Sequence, residues 1–202
     1  MKEKKGNIFT TFDEILQRKD KEILLNQRSK VIWMTGLSGS GKTTIAKGIE
    51  KHLHSKGIIT QILDGDNLRA GINSDLSFSS QDRNENIRRV SEISKLFINC
   101  GVITINCFIS PTIKIRKMAK DIIGEENFIE IYIKASIEVC KKRDVKGLYK
   151  KAENEKIKNF TGISSPFEVP KNPELEIDTT KLSINESIQK VIDYILPNIK
   201  HN

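Results

Sequence analysis

Short apolar runs and helix-period patterns take turns along most of this chain. Val31 to Leu37 is apolar enough to be a buried strand, and the pattern from Lys42 to Lys56 predicts a helix that Gly57 closes. Ile58 to Leu63 predicts a second strand. This order of strand, helix and strand is typical of a unit that contributes two parallel strands to one sheet.

The same alternation continues through the middle of the chain. Ser79 and Asp82 have the spacing of a capping box, and apolar residues then recur every three or four positions up to Gly101, which predicts one long helix. Three elements follow: a strand from Val102 to Ile109, a helix from Thr112 to Ile123 and a strand from Phe128 to Ile133. We therefore expect an α/β/α three-layer sandwich around a mostly parallel sheet, with ligands beyond the carboxyl ends of its strands.

Three segments near the ends and in the second half complete the predicted organisation. Residues 1–30 are polar and form an N-terminal extension, which either caps the fold or contributes to a dimer contact. Residues 144–173 are basic, hold two glycines and three prolines and lack periodicity, which is typical of a mobile active-site segment. Ser183 and Glu186 predict a capping box for a last helix that ends before Pro197. One domain is expected over residues 31–202, with a lid at about 143–173.

Length and composition place the chain among ordinary globular proteins. It has 202 residues, 37% of them hydrophobic, which suits a single domain with its own core. Its most apolar stretch, Leu96 to Ile109, contains polar residues and is shorter than the roughly 20 residues that cross a bilayer. The N-terminus lacks the apolar run of a secretory signal. No membrane contact is expected, and the expected location is cytoplasmic.

The formal net charge of +8 is concentrated in two segments. Residues 1–30 carry eight cations and five anions, and residues 141–158 carry eight cations and three anions, so the remainder of the chain is balanced. A local basic patch indicates an anionic partner, for which nucleic acid and a small polyphosphate are both candidates, whereas a solvated surface needs no partner. Composition by itself favours the solvated surface.

A complete G-x-x-x-x-G-K-[ST] motif follows the first predicted strand and opens the helix after it. Backbone N–H groups of such a loop surround phosphate oxygens, and the helix N-terminus adds partial positive charge. Lys42 is expected to reach the β- and γ-phosphates, and Thr43 to offer its hydroxyl to Mg²⁺. The expected ATP-binding residues are Gly36, Leu37, Ser38, Gly39, Ser40, Gly41, Lys42, Thr43 and Thr44. GTPases, motors and small-molecule kinases share the motif, and the compact length favours a small acceptor.

Two carboxylates and a guanidinium follow the second predicted strand, in Asp64-Gly65-Asp66-Asn67-Leu68-Arg69. A kinase needs one carboxylate on the Mg²⁺ side and one that orients or deprotonates the attacking hydroxyl. Asp64 is expected on the metal side and Asp66 as the base, although the two roles could be exchanged. Arg69 is a candidate clamp for an anionic acceptor.

These motifs, in this order and spacing, resemble the adenylylsulfate kinase family of P-loop kinases. The resemblance runs from about Val31 to Thr179 and rests on GLSGSGKT, DGDNLR, DRNENIRR, FISP, KGLYKKA, KNFTGI and PFEVP, of which DGDNLR, DRNENIRR and KGLYKKA are the most specific. It implies transfer of the ATP γ-phosphate to the ribose 3′-hydroxyl of adenosine 5′-phosphosulfate, with Mg²⁺, to give 3′-phosphoadenylylsulfate and ADP for sulfate assimilation.

The resemblance also implies roles for particular residues. Arg69, Arg83 and Asn86 match positions that hold the phosphosulfate, and Phe78 and Phe160 match rings that sandwich adenine. Ser110 matches a serine described as a phosphoserine intermediate, although direct in-line transfer needs no such step and is the mechanism we favour. Arg143 matches a residue near the donor adenine. Further acceptor-site positions are matched by Ile109, Lys146, Gly147, Leu148 and Lys158.

Four residues depart from the family pattern, and two competing functions stay open. Thr112, Glu153, Ser164 and Phe167 stand where the family often has Tyr, Arg, Asp and Tyr, and Glu153 reduces the positive charge of the lid. The alternatives are a related P-loop kinase for another small hydroxyl compound and a non-catalytic nucleotide-binding regulator. Nucleic acid is not an expected partner, because the chain has no aromatic-basic RNA signature or DNA-reading module. The resemblance implies a homodimer, and the sequence leaves open whether an ATP sulfurylase associates with the chain.

Overall fold

A computed structural model describes residues 10–144, 146–157 and 159–201. Its helices are α1 (Arg18–Leu25), α2 (Lys42–His54), α3 (Gly65–Arg69), α4 (Ser80–Asn99), α5 (Ile113–Ile123), α6 (Ile137–Arg143), α7 (Leu148–Glu153) and α8 (Ile184–Ile199). The strands are β1 (Val31–Thr35), β2 (Thr60–Asp64), β3 (Ile103–Cys107), β4 (Phe128–Lys134) and β5 (Leu175–Asp178).

The five strands form one parallel sheet in the order β2-β3-β1-β4-β5. Strand β1 lies in the centre, with Val31 beside Thr104 of β3 on one side and beside Phe128 of β4 on the other. The chain therefore leaves β1 at the point where the strand order reverses, which is where ligands bind in open α/β sheets. The end of β2 reaches the same edge, because Asp64 pairs with Cys107 at the end of β3.

Successive residues of β1 point to opposite faces of the sheet, and each face has its own core. Ile32 and Met34 belong to a cluster with α2 and α8, whereas Val31 and Trp33 pack in a second cluster with α4 and α5. The near-continuous apolar run in β1 follows from this burial on both faces. The predicted α/β/α sandwich with a parallel sheet is confirmed.

The N-terminal extension is attached to the domain from α1 onward. Arg18 donates to Asn127 Oδ1 over 2.7 Å and to Ser29 Oγ over 2.9 Å. The buried Gln27 side chain donates to the carbonyls of Ile59 and Gly101, at 3.0 and 2.8 Å. These contacts lie at the start of the strands, away from the edge where the ligand crevice is expected, so packing is continuous across the predicted boundary at residue 30.

Three parts of the second half differ from the sequence-based expectation. The segment predicted to be irregular contains α7, and β5 adds a fifth strand after it. The last helix does not stop before Pro197 but runs to Ile199, because Ile195 and Ile199 are buried in the core and hold the final turn in place. A proline in that turn removes only one backbone donor. Within the described ranges, none of the helices is long and apolar enough to span a membrane.

Candidate active site

The phosphate loop joins β1 to α2 through backbone conformations that require glycine. Gly36, Gly39 and Gly41 have φ angles of 150°, 76° and 105°, a region that residues with a Cβ rarely adopt. A Cβ on Gly36 would lie 2.4 Å from the carbonyl oxygen of Ile133. The loop can therefore turn back tightly over the end of β4 and direct its N–H groups inward.

Lys42 is buried inside this loop. Its Nζ donates to the carbonyl oxygens of Gly36 and Leu37, at 2.8 and 2.7 Å. Burial is the main cause that lowers the pKa of Lys42 from 10.5 to about 8. The ammonium group thus lies within the ring of backbone groups expected to surround phosphate, and it is held there by carbonyls that a phosphate oxygen could replace.

Other residues of the phosphate loop form hydrogen bonds with the lid and with the residue that follows β5. Ser38 and Ser40 present their carbonyl oxygens to Tyr149 Oη, at 2.9 Å, and to Thr179 Oγ1, at 3.0 Å. Thr44, in the first turn of α2, is exposed. The loop is therefore supported on one side by α7 and on another by the residue that follows β5.

Thr43 of the phosphate-loop motif contacts Asp64, the last residue of β2. Thr43 Oγ1 donates to Asp64 Oδ2 over 2.8 Å, although the two residues are 21 positions apart. Both side chains carry an oxygen atom that can bind a metal ion. Mg²⁺ is usually held by one or two protein oxygens together with substrate phosphates and water. The residues present therefore fit a magnesium ion bound beside the phosphate loop.

The two carboxylates at the end of β2 lie on either side of the start of α3. Asp64 is the N-cap of α3, and its Oδ1 accepts a hydrogen bond from the backbone N–H of Asp66 at 3.0 Å. The Asp66 carboxylate is exposed and forms an ion pair with Lys146, from the lid. Asp64 thus contacts the phosphate loop while Asp66 contacts the lid.

Arg69 and Phe78 stack on one another at the opening of the acceptor half. The Arg69 guanidinium carbon lies 4.4 Å from the Phe78 ring centroid, a cation–π distance. Its Nη1 also donates to the carbonyls of Leu76 and Ser77, at 3.0 and 2.9 Å. Phe78 is 59% exposed, so one face of the ring remains open to a flat ligand such as a nucleobase.

Ser110 lies shortly after the end of β3, and its backbone is constrained. Its φ angle is 37°, which is uncommon for a residue other than glycine. Trp33 Nε1 donates to Ser110 Oγ over 3.1 Å, and Ser110 Oγ donates to Thr35 Oγ1 over 3.0 Å. Thr35 in turn donates to the carbonyl of Ile109 at 2.8 Å. The serine hydroxyl is buried, and it both accepts and donates a hydrogen bond within the protein.

The lid has a small hydrophobic core that includes a residue of the phosphate loop. Leu37, Cys140, Tyr149 and Phe160 are buried together, and the Tyr149 and Phe160 rings meet edge to face with centroids 5.0 Å apart. Phe160 is only 7% exposed. Leu148 packs on the same cluster, and Gly147 is the N-cap of α7. The segment is thus a folded unit over the loop rather than an irregular stretch.

The two rings predicted to sandwich adenine have other partners in this structure. Phe160 packs on Tyr149, and Phe78 packs on Arg69. Lys158, a predicted acceptor residue, lies outside the described residues. Arg143, predicted to lie near the donor adenine, donates to the phosphate-loop carbonyls of Gly39 and Ser40, at 3.4 Å each, and to Thr179.

Sequence reasoning missed several residues that support the site. Thr179 donates to the Ser40 carbonyl and accepts from Arg143 Nη1 at 3.0 Å. A polar residue directly after a predicted strand would have been the signal for it, but β5 itself was not recognised. Asn73 contacts the predicted acceptor residue Asn86 through a buried hydrogen bond of 3.1 Å. Nothing in its local sequence pattern distinguishes it from an ordinary loop asparagine.

Comparison with known proteins agrees with this geometry. The family model described as adenylylsulphate kinase matches residues 28–178. The adenylylsulfate kinase of Bacteroides thetaiotaomicron is 54% identical over 98% of this chain and 98% of its own length, and that of Phocaeicola vulgatus is 56% identical over 95% and 94%. The chain belongs to the adenylylsulfate kinase family. A solved structure of Mycobacterium tuberculosis APS kinase CysC, in complex with AMPPNP and APS, is 44% identical over 84% of this chain and 98% of that one, with a TM-score of 0.81.

One departure from the adenylylsulfate kinase pattern has a structural counterpart. Glu153, at a position where the family often has arginine, pairs with Lys141 at 2.7 Å and so links α7 to α6. Both side chains are partly exposed, at 49% and 39%, so the pair adds little stability. Its main consequence is that the Glu153 charge is neutralised by Lys141, outside the lid.

Proposed function

We propose that this chain transfers the γ-phosphoryl group of ATP to the ribose 3′-hydroxyl of adenosine 5′-phosphosulfate. The bond between the γ-phosphorus and the ADP oxygen breaks, and a bond from the 3′-oxygen to phosphorus forms. The products are ADP, 3′-phosphoadenylylsulfate and the hydroxyl proton. The observation that carries the proposal is the 2.8 Å hydrogen bond between Thr43 and Asp64, which joins the donor loop to the acceptor carboxylates.

The residues divide the work between donor and acceptor. The phosphate loop and Lys42 bind the β- and γ-phosphates, and Arg143 lies beside the loop on the donor side. A magnesium ion, held by Thr43 and Asp64, would neutralise phosphate charge. Asp66 orients the 3′-hydroxyl and accepts its proton. Because Asp66 is paired with Lys146 in this structure, the acceptor hydroxyl must share or displace that contact.

The basic lid supports phosphoryl transfer to a small anionic acceptor. Lys146 and Arg143 come from the segment that carries the charge excess, and both lie against the site instead of facing away from it. A folded lid excludes water from transferred phosphate, which suppresses hydrolysis of ATP. A role in sulfate assimilation, a cytoplasmic location and a homodimer all remain predictions from the sequence, and an association with ATP sulfurylase stays open.

One coupled assay tests the proposal. Purified protein with Mg-ATP should release ADP only when adenosine 5′-phosphosulfate is added, and the product should carry phosphate at the 3′ position. Lys42→Ala is the control for contaminating activity. Absence of turnover above this control would refute the proposal, and turnover of another hydroxyl compound in an acceptor panel, with adenosine 5′-phosphosulfate ignored, would point to a related kinase.

A further inference from the structure

Asn73 is a completely buried polar residue in the loop between α3 and α4. Its backbone is anchored on both sides, because its N–H donates to the carbonyl of Leu68 at 2.9 Å and its own carbonyl accepts from Leu76 at 3.1 Å. The side chain is therefore presented in a fixed direction, toward α4.

The side chain of Asn73 uses only one of its two polar groups. Nδ2 donates to Oδ1 of Asn86 over 3.1 Å, whereas Oδ1 is buried and has no partner among the described residues. A buried amide oxygen without a partner costs about 1–3 kcal/mol. A leucine of similar size would avoid that cost, so the feature that distinguishes asparagine here is the hydrogen bond that it gives to Asn86.

This hydrogen bond decides which end of the Asn86 amide is available to a ligand. Because Oδ1 of Asn86 accepts from Asn73, its Nδ2 is the group left to donate elsewhere. Arg83 lies three residues earlier on α4, and side chains with this spacing share one face of a helix. That face then carries hydrogen-bond donors from both residues, which suits an anion.

We propose that Asn73 is a positioning residue, which fixes the Asn86 amide with Nδ2 toward the anionic phosphosulfate of the acceptor. The inference rests on the proposed function and assigns a task to a residue outside the ligand-binding motifs. If the amide of Asn86 rotated by half a turn, its oxygen would face the anion and repel it.

A purely structural role for Asn73 is less well supported, because the loop is held by other contacts. Arg89 forms a two-point ion pair with Asp75, at 2.7 and 2.8 Å. Arg69 binds the carbonyls of Leu76 and Ser77. The loop thus has at least four hydrogen bonds to arginines that do not involve the Asn73 side chain.

Two substitutions of similar size separate the possibilities. Burial favours the neutral form of a carboxyl, so Asn73→Asp is studied at a pH high enough to ionise it. The carboxylate can then only accept, so it should draw Nδ2 of Asn86 toward itself and turn Oδ1 toward the acceptor. We expect the Kd of adenosine 5′-phosphosulfate, measured by calorimetry with ADP present, to rise about ten- to hundredfold. Asn73→Leu removes the donor and the unpaired oxygen together and leaves the Asn86 amide free to take either orientation, so it should weaken binding by a smaller factor.

A double-mutant cycle with Asn86→Ala supplies the decisive readout. If Asn73 acts through Asn86, neither substitution at position 73 weakens acceptor binding further once Asn86 is alanine. The Kd for ATP should stay within about twofold throughout, as expected for sites without shared contacts. Unchanged acceptor affinity in a folded Asn73→Asp protein, or losses that multiply in the Asn86→Ala background, would overturn the inference. Failure of the wild-type protein to bind or phosphorylate adenosine 5′-phosphosulfate would instead overturn the proposed function.

Discussion

Arg83 of α4 donates a hydrogen bond from Nη1 to Oγ1 of Thr161 over 2.8 Å, although the two residues are 78 positions apart in the chain. The same guanidinium donates from Nε to the carbonyl of Phe78 at 3.0 Å and from Nη2 to the carbonyl of Asn159. Thr161 is almost completely buried. One side chain therefore connects the acceptor loop, the long helix and the lid.

Arg83→Ala should weaken use of adenosine 5′-phosphosulfate far more than binding of ATP. The substitution removes a cation from the acceptor side together with three hydrogen bonds. These bonds go to Phe78, Thr161 and Asn159, none of which belongs to the phosphate loop. We expect KM for the acceptor to rise about ten- to hundredfold, as for loss of a charged hydrogen bond. Initial rates with each substrate varied in turn measure the two KM values.

Arg88→Ala is the matched control on the same helix. Arg88 is half-exposed and paired with Glu85, whose pKa is lowered to about 2 mainly by the hydrogen bond from Arg88. Because this pair faces solvent, its loss should leave both KM values nearly unchanged. Equal loss of ATP and acceptor binding in Arg83→Ala would mean that Arg83 is needed for folding instead of recognition.

The ion pair between Lys146 and Asp66 makes a different prediction. Both side chains are more than half exposed, so the pair contributes about 0–1 kcal/mol to folding. Lys146→Ala should therefore leave the melting temperature nearly unchanged while lowering kcat/KM for the acceptor, because the lid loses its contact with the proposed base. The measurement combines thermal unfolding with acceptor-dependent rates.

Lys117→Ala is a suitable comparison for Lys146→Ala. Lys117 pairs with Asp121 within α5 at 2.8 Å, and the two side chains are 71% and 61% exposed, close to the values for the lid pair. It lies outside the proposed site, so activity and stability should both be retained. If the two variants had the same activity, the lid contact would have no part in acceptor use.

Ser110→Ala should retain phosphoryl transfer and lose stability. The hydroxyl links Trp33 to Thr35 inside the protein, and removal of buried hydrogen bonds costs about 1–2 kcal/mol. Direct transfer between two bound substrates needs no group on Ser110, so kcat should fall by no more than about tenfold. Urea unfolding and initial rates are the measurements. A folded Ser110→Ala protein without activity, or phosphate found on Ser110 after incubation with ATP alone, would favour the covalent route.

Much of the fold could be predicted because the core elements have strong periodic patterns. Strand β1 and helix α4 lie within two residues of their predicted ends, since their apolar positions are buried by the sheet and its covering helices. Strand β5 has only four residues, too few for a periodic signal. The last turn of α8 was missed because burial of Ile195 and Ile199 outweighs the local effect of Pro197.

In the site, too, features set by local sequence could be predicted, whereas contacts between distant residues could not. The phosphate loop could be recognised because its glycine positions are dictated locally by backbone geometry. The bonds of Thr43 with Asp64 and of Arg83 with Thr161 join residues far apart in the chain. No spacing rule predicts such pairs, because they depend on how the strands are ordered and how the lid folds back.

Lys42 should give the free enzyme a specific dependence of stability on pH. Its pKa is lowered by burial from 10.5 to about 8. Between these two pH values the unfolded chain holds a proton on Lys42 that the folded chain has released, so the contribution of this residue to stability rises with pH. Below pH about 8 both states hold the proton, and the cost of burying the charge is constant.

Lys42→Met removes this dependence along with the charge. The variant should therefore have a larger free energy of unfolding than the wild type at pH 7. This difference in free energy should shrink as the pH rises toward 10. The decrease should reach up to about 3 kcal/mol, because each pKa unit corresponds to about 1.4 kcal/mol. Urea unfolding of both proteins at matched pH values measures this difference. Parallel stability curves from pH 7 to 10 would show that the Lys42 ammonium is not buried in the free enzyme, and the phosphate loop would then need a different arrangement before ATP binds.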